Sequence, residues 1–91
     1  MTGVYWYRRR WEESPGGDED GWGHSTWLFE TDVSGAVLRQ IVAYDTGPSR
    51  RYDECHDEDD VGFLAQVALL PEEWRAYRIT RADFEAVWQQ L

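Results

Sequence analysis

The sequence predicts a single α+β domain over residues 1–91: an antiparallel meander of three or four strands packed against a C-terminal amphipathic helix, with one short helix before it. Three features carry that expectation. Several runs are aromatic or alternate apolar with polar residues, turn formers separate them, and the last segment repeats its apolar residues at helical spacing.

The first run, VYWYRRRWE (Val4 to Glu12), is rich in aromatics and ends at the turn formers and charges of SPGGDEDG, which predicts a strand followed by a loop. In HSTWLFETDV, Trp27, Phe29 and Val33 share one parity while Leu28, Glu30 and Asp32 share the other, the period of a half-buried strand. Ser34-Gly35 then suits a two-residue hairpin turn into AVLRQIVAYD, because glycine tolerates a positive φ. A second turn, TGPS, leads into Arg50–Glu54 as a short fourth strand. The first and fourth strands are expected at the edges.

The apolar run VGFLAQVALL (residues 61–70) fits helix, strand or buried loop equally well. Pro71 followed by EEWRAY suits a short helix, since proline at the first helical position gives up no needed hydrogen bond and Glu72 and Glu73 favour the positive end of the dipole. Thr80 is placed to cap a helix from Arg81, with Asp83 completing a capping box. Phe84, Val87, Trp88 and Leu91 then form its apolar stripe, and truncating Trp88 is expected to be severely destabilising.

Composition narrows the function classes. Eighteen acidic residues against nine basic ones give a net charge of −9, and all nine bases are arginines. Neutralising nucleic-acid phosphates requires many cations, so a nucleic-acid partner is not expected; a basic protein partner is. One cysteine excludes an internal disulfide and favours a reducing compartment. Without an apolar leader or a run near the roughly 20 residues that span a bilayer, a cytoplasmic protein with no membrane partner is expected.

The stretch RRYDECHDEDD (Arg50 to Asp60) holds the most conspicuous chemistry. A zinc site needs about four ligands in spaced pairs, and His24, Cys55 and His56 do not form them. A calcium loop starting at Asp53 would place Glu58 where the turn glycine belongs and Leu64 where a bidentate glutamate belongs. A nucleophilic Cys55 would need a neighbouring cation, whereas its sequence neighbours are acidic. Neither metal, cofactor nor catalytic residue is therefore expected. The carboxylates of Asp53, Glu54, Asp57, Glu58, Asp59 and Asp60 read instead as a solvated edge that a basic partner can recognise, with Trp22 in the preceding loop as an aromatic anchor.

A second constellation lies in the strands. A two-residue hairpin at Ser34-Gly35 places Glu30 opposite Arg39. Such a pair is structural in the simplest view; alternatively Glu30, Arg39, Tyr52 and His24 form a polar ligand pocket on a sheet face left open by the helix.

Four segments together resemble a family of small bacterial proteins, the domain of unknown function DUF6881: VYWYRRRW, WLFETDVSGAVLRQIVAYD, RYDECHDEDDVGFL and LLPEEWRAYRITRADFEAVW. The resemblance spans nearly the whole chain and implies one α+β domain and no catalytic residue. Gene neighbourhoods with toxin-immunity components, associated with families of this kind, suggest an immunity-type role. The expectation is thus an acidic, non-enzymatic binding module covering a basic partner such as a toxin. A small-ligand binder or hydrolase and a structural or dimerisation subunit, pairing through its aromatic edge strand, are the alternatives.

Overall fold

Residues 3–11, 23–58 and 63–91 are described by a computed structural model, and among them are five antiparallel strands and two short helices. The strands are β1 (Val4–Trp11), β2 (Ser25–Asp32), β3 (Val37–Tyr44), β4 (Ser49–Tyr52) and β5 (Arg78–Ile79), in the spatial order β4-β3-β2-β1-β5. Helix α1 (Pro71–Trp74) continues into a 3₁₀ turn over Arg75–Tyr77, and α2 (Arg81–Trp88) follows β5. The expected α+β meander is present with one additional strand. Because β5 pairs with Trp6 and Tyr7, the edges are β4 and β5, and the expected edge position of the first strand is corrected. Two residues are too few for alternation to announce them.

The β2–β3 connection also differs from the two-residue turn expected. The Gly35 N–H donates to the Asp32 carbonyl and the Asp32 N–H to the Ala36 carbonyl, which leaves three residues in the loop, with Gly35 at φ +93°. This is a type I turn closed by a left-handed glycine. Asp32 reinforces it by accepting the N–H groups of Ser34 and Ala36 on Oδ1. A bulge at Leu38 then shifts the register by one residue, so that Glu30 still faces Arg39. Two irregularities cancel, and the predicted pair survives for a different reason.

One sheet face packs on α2. Leu28, Ile41 and Phe84 are buried at its centre, with Trp6, Ile79, Val87 and Trp88 around them. The capping box is complete, Thr80 accepting from the Asp83 N–H and Asp83 from the Thr80 N–H. Leu91 lies beyond the last turn and is exposed, so the stripe ends at Trp88.

The opposite face is covered too. Tyr7, Phe29, Val42 and Tyr52 are buried there, beneath the irregular segment 63–70 and α1. Trp74 packs edge-on against Tyr7, Phe29 and Tyr77 at centroid distances of 5.9, 5.5 and 5.5 Å. Adjacent residues Leu28 and Phe29 are consequently both buried, and β2 is sandwiched instead of half-exposed. Val33, read as sharing the parity of Trp27 and Phe29, sits in the turn and is exposed.

Phe84→Ala is expected to cost about 3–5 kcal/mol in chemical denaturation, and Trp88→Ala less, because Phe84 is fully buried and Trp88 only partly. Gly35→Ala is expected to cost about 1–3 kcal/mol from backbone strain. Its Cβ would also lie 2.5 Å from the Leu69 carbonyl oxygen, adding to the loss seen in the same denaturation experiment.

Candidate functional site

The four residues considered as a ligand pocket do not converge. Glu30 and Arg39 lie on the α2 face, whereas Tyr52 pairs opposite Gln40 and so points to the other side of the sheet. His24 precedes β2 at the far end, where its carbonyl accepts the Asp45 N–H. Arg39 donates from Nε to Glu30 Oε1 at 2.9 Å and from one terminal nitrogen to Oε2 at 2.5 Å. That nitrogen also donates to Glu85 of α2, and Trp6 Nε1 donates to Glu30 Oε2 at 2.9 Å. The guanidinium stacks 4.8 Å from the centroids of both Phe84 and Trp88. The group therefore ties the helix to the sheet, with few donors left for a ligand.

Burial acts to raise the Glu30 pKa, but the hydrogen bonds from Arg39 and Trp6 outweigh it and hold the carboxyl below the usual glutamate range. The Arg39 pKa is raised, chiefly by its bond to Glu30.

The acidic stretch divides into a structural part and a displayed part. Asp53 Oδ1 accepts the N–H groups of Cys55 and His56, both at 2.9 Å, closing an Asx turn that the backbone bonds between Asp53 and His56 complete. Asp53 is thereby committed to the turn and is half-buried. Glu54, Asp57 and Glu58 are exposed. Trp22, Asp59 and Asp60, expected to contact a partner, lie outside the described residues. Among the described residues, no group of three or more His, Cys, Asp or Glu side chains is arranged to hold a metal ion.

Sequence reasoning missed the groove on the face away from α2. Its organiser is Gln40, 1% exposed: Nε2 donates to the Phe63 carbonyl at 3.2 Å and Oε1 accepts the Ala65 N–H at 2.7 Å. One side-chain amide thus gives segment 63–65 the two backbone bonds that a neighbouring strand would supply. The only sequence signal is a glutamine at an inward-facing position of a strand. Farther along, the Leu69 N–H donates to the Gly35 carbonyl at 2.8 Å, tying the cover to the β2–β3 turn.

Between its anchors the cover leaves hollows on both sides of Trp27. One, of about 210 Å³, is lined by Trp11, Trp27, Phe29, Val67 and Trp74 among others, with the Arg9 side chain at its wall and a wholly apolar lining surface. The Arg9 guanidinium stacks 4.8 to 5.5 Å from the rings of Tyr77, Trp74 and Trp11. The other, of about 480 Å³, runs from Trp27 and Tyr44 to Phe63 and Gln66. Phe63 and Gln66 also line a third hollow with Asp57 and Glu58. Apolar groove and acidic rim are thus continuous. Phe63 is 61% exposed and Val67 70%, so apolar surface is displayed at the rim.

No protein-family model, curated protein or solved structure matches this chain.

Because the folded-state pKa of Glu30 is depressed, its contribution to stability is present above the unfolded glutamate value and is lost as pH falls through the folded value. Glu30→Gln is expected to flatten the acid limb of the stability–pH curve, measured by urea unfolding at stepped pH. Arg39→Met, which leaves two largely buried carboxylates unpaired, is expected to cost about 2–4 kcal/mol in the same measurement.

Proposed function

We propose that this protein is a non-enzymatic protein-binding module that grips a basic partner with the face opposite α2. The observation that carries the reading is the continuity just described: Phe63 and Gln66 belong both to the apolar groove beside Trp27 and to the hollow edged by Asp57 and Glu58. An apolar side chain of the partner fits the groove, and a flanking arginine or lysine meets the carboxylates. Tight interfaces commonly combine a desolvated apolar anchor with a charged rim that steers approach. Asp59 and Asp60 follow Glu58 directly in the sequence and add to the local negative charge.

An immunity-type role, in which the module covers a basic toxin, is the specific form that the resemblance to DUF6881 suggests. The small-ligand or hydrolase alternative draws no support from Glu30 and Arg39, which are hydrogen-bonded to each other beneath α2. The dimerisation alternative is weakened at Trp6 and Tyr7, where β5 already occupies the edge of β1.

With a partner identified by co-purification, reversing both rim charges (Asp57→Arg with Glu58→Arg) is expected to lower affinity at least about tenfold and to reduce its salt dependence. Val67→Asp is expected to weaken binding comparably while leaving the melting temperature unchanged, because Val67 is mostly exposed. Calorimetric titration measures both. Unchanged affinity in the charge-reversed protein would refute the acidic-rim reading.

A further inference from the structure

The sheet ends at β4, and the outer edge of that strand is open. The Tyr44 N–H donates to the Pro48 carbonyl, which fixes the phase of the β3–β4 ladder. Hydrogen-bonded and non-bonded pairs alternate in an antiparallel ladder, so Arg50 and Tyr52 turn their main-chain groups to Val42 and Gln40, while Ser49 and Arg51 turn theirs outward. Asp53, next on the outward phase, behaves accordingly: its N–H and carbonyl bond to His56, which folds back along the outer side and closes one end of the edge. Ser49 and Arg51 are left with main-chain donors and acceptors that no described residue engages.

Side chains alternate about this edge. Arg50, opposite Val42, points to the groove face, and Arg51, opposite Ile41, points to the α2 face with Ser49. Arg51 donates to the Trp88 carbonyl at 3.0 Å and stacks 5.0 Å from the Trp88 ring, which holds its guanidinium beside the edge with further donors to offer. Arg50 makes no side-chain hydrogen bond or ion pair among the described residues. A cleft of about 450 Å³ lies along the edge, lined by Ser49, Arg50 and Arg51 together with Asp53, His56 and Leu91 among others. Asp53, the acid in that lining, already turns Oδ1 to two backbone N–H groups.

Charge selects what can lie there. The four residues of β4, SRRY, hold two cations and no acid, although the whole chain carries a net charge of −9. A second copy paired about a two-fold axis at Arg50 would set like charges against each other, and opposed like charges destabilise a strand pair. Arginine at both central positions thus deters self-pairing and favours an acidic strand.

We infer that β4 takes an added strand, an extended acidic segment of a partner protein that lengthens the five-stranded sheet by one. Its main chain bonds to the outward groups of Ser49 and Arg51. Two consecutive acidic residues in such a segment fall on opposite faces, so one meets Arg50 on the groove side and the other meets Arg51 on the α2 side. The site uses the strand edge and does not depend on the groove reading.

The test combines the full-length chain with a blocked octapeptide of valines and threonines around two adjacent glutamates, and with its counterpart carrying lysines in their place. Amide hydrogen exchange resolved by NMR reads the outcome. In the free protein the Arg50 and Tyr52 amides are expected to exchange slowly and those of Ser49 and Arg51 fast. The acidic peptide is expected to slow exchange at Ser49 and Arg51 at least about tenfold, and the lysine peptide to leave it unchanged. Methylating the central backbone nitrogens of the acidic peptide is expected to abolish the protection, which separates strand addition from simple charge attraction. Arg50→Gln, whose side chain bonds to nothing in the described fold, is expected to keep the wild-type circular dichroism and to weaken the acidic peptide about threefold. Arg50→Glu combined with Arg51→Glu is expected to reverse the preference to the lysine peptide. The inference is overturned if the Ser49 and Arg51 amides are already protected in the free protein, as a second copy on the edge would make them. It is equally overturned if the acidic peptide leaves their exchange unchanged, or if the methylated peptide protects them as well as the unmethylated one does.

Discussion

The Arg39 guanidinium is the point at which sheet and helix are joined. It bonds Glu30 across the strand pair, reaches Glu85 on α2, and lies against the rings of Phe84 and Trp88. A charge half-buried in this way is tolerated because carboxylates take its donors and aromatic faces take its plane. Trp6 adds a further donor to Glu30, so β1, β2, β3 and α2 all meet in one network. The adjacent residue, Gln40, points the other way and holds the opposite layer through Phe63 and Ala65. Consecutive side chains of one strand therefore secure both coverings of the sheet, and the position of the groove follows from the second of them.

Elements governed by local chemistry could be read from the sequence alone. The Thr80–Asp83 box and proline at the first position of α1 act within a few residues of themselves and appear in the fold, and the run read as β2 is a strand, although it is covered on both faces and not half-buried. What escaped depends on long-range pairing. Segment 63–70 has no period because its hydrogen bonds go to Gln40, to Asp57 and to the β2–β3 turn, and β5 is too short to show one. The Glu30–Arg39 pairing was legible, yet its burial under α2 was not, because opposition across strands says nothing about what packs above. The acidic stretch showed its charge but not its division: Asp53 turns the chain, and Asp57 and Glu58 border the groove.

Charge is unevenly distributed over the molecule. The Arg9 guanidinium rests among Tyr77, Trp74 and Trp11 at one end of the groove, while Asp57 and Glu58 stand at the other. On the proposed reading, that polarity would orient a partner with its cationic end toward the acids, away from Arg9. The arginines of β4 lie along another edge, where Arg51 meets the end of α2.

The Gln40 amide has a consequence for how such a domain can diversify. The segment over the groove is attached at discrete points, through the Gln40 side chain, the Leu64 N–H bond to the Asp57 carbonyl and the Leu69 bond to Gly35, and not woven into the five-stranded ladder. Its intervening residues can change in size or number without shifting the register of any strand beneath. The sheet works as a chassis and the cover as an exchangeable faceplate, so the contour offered to a partner can be recut while the framework stays the same.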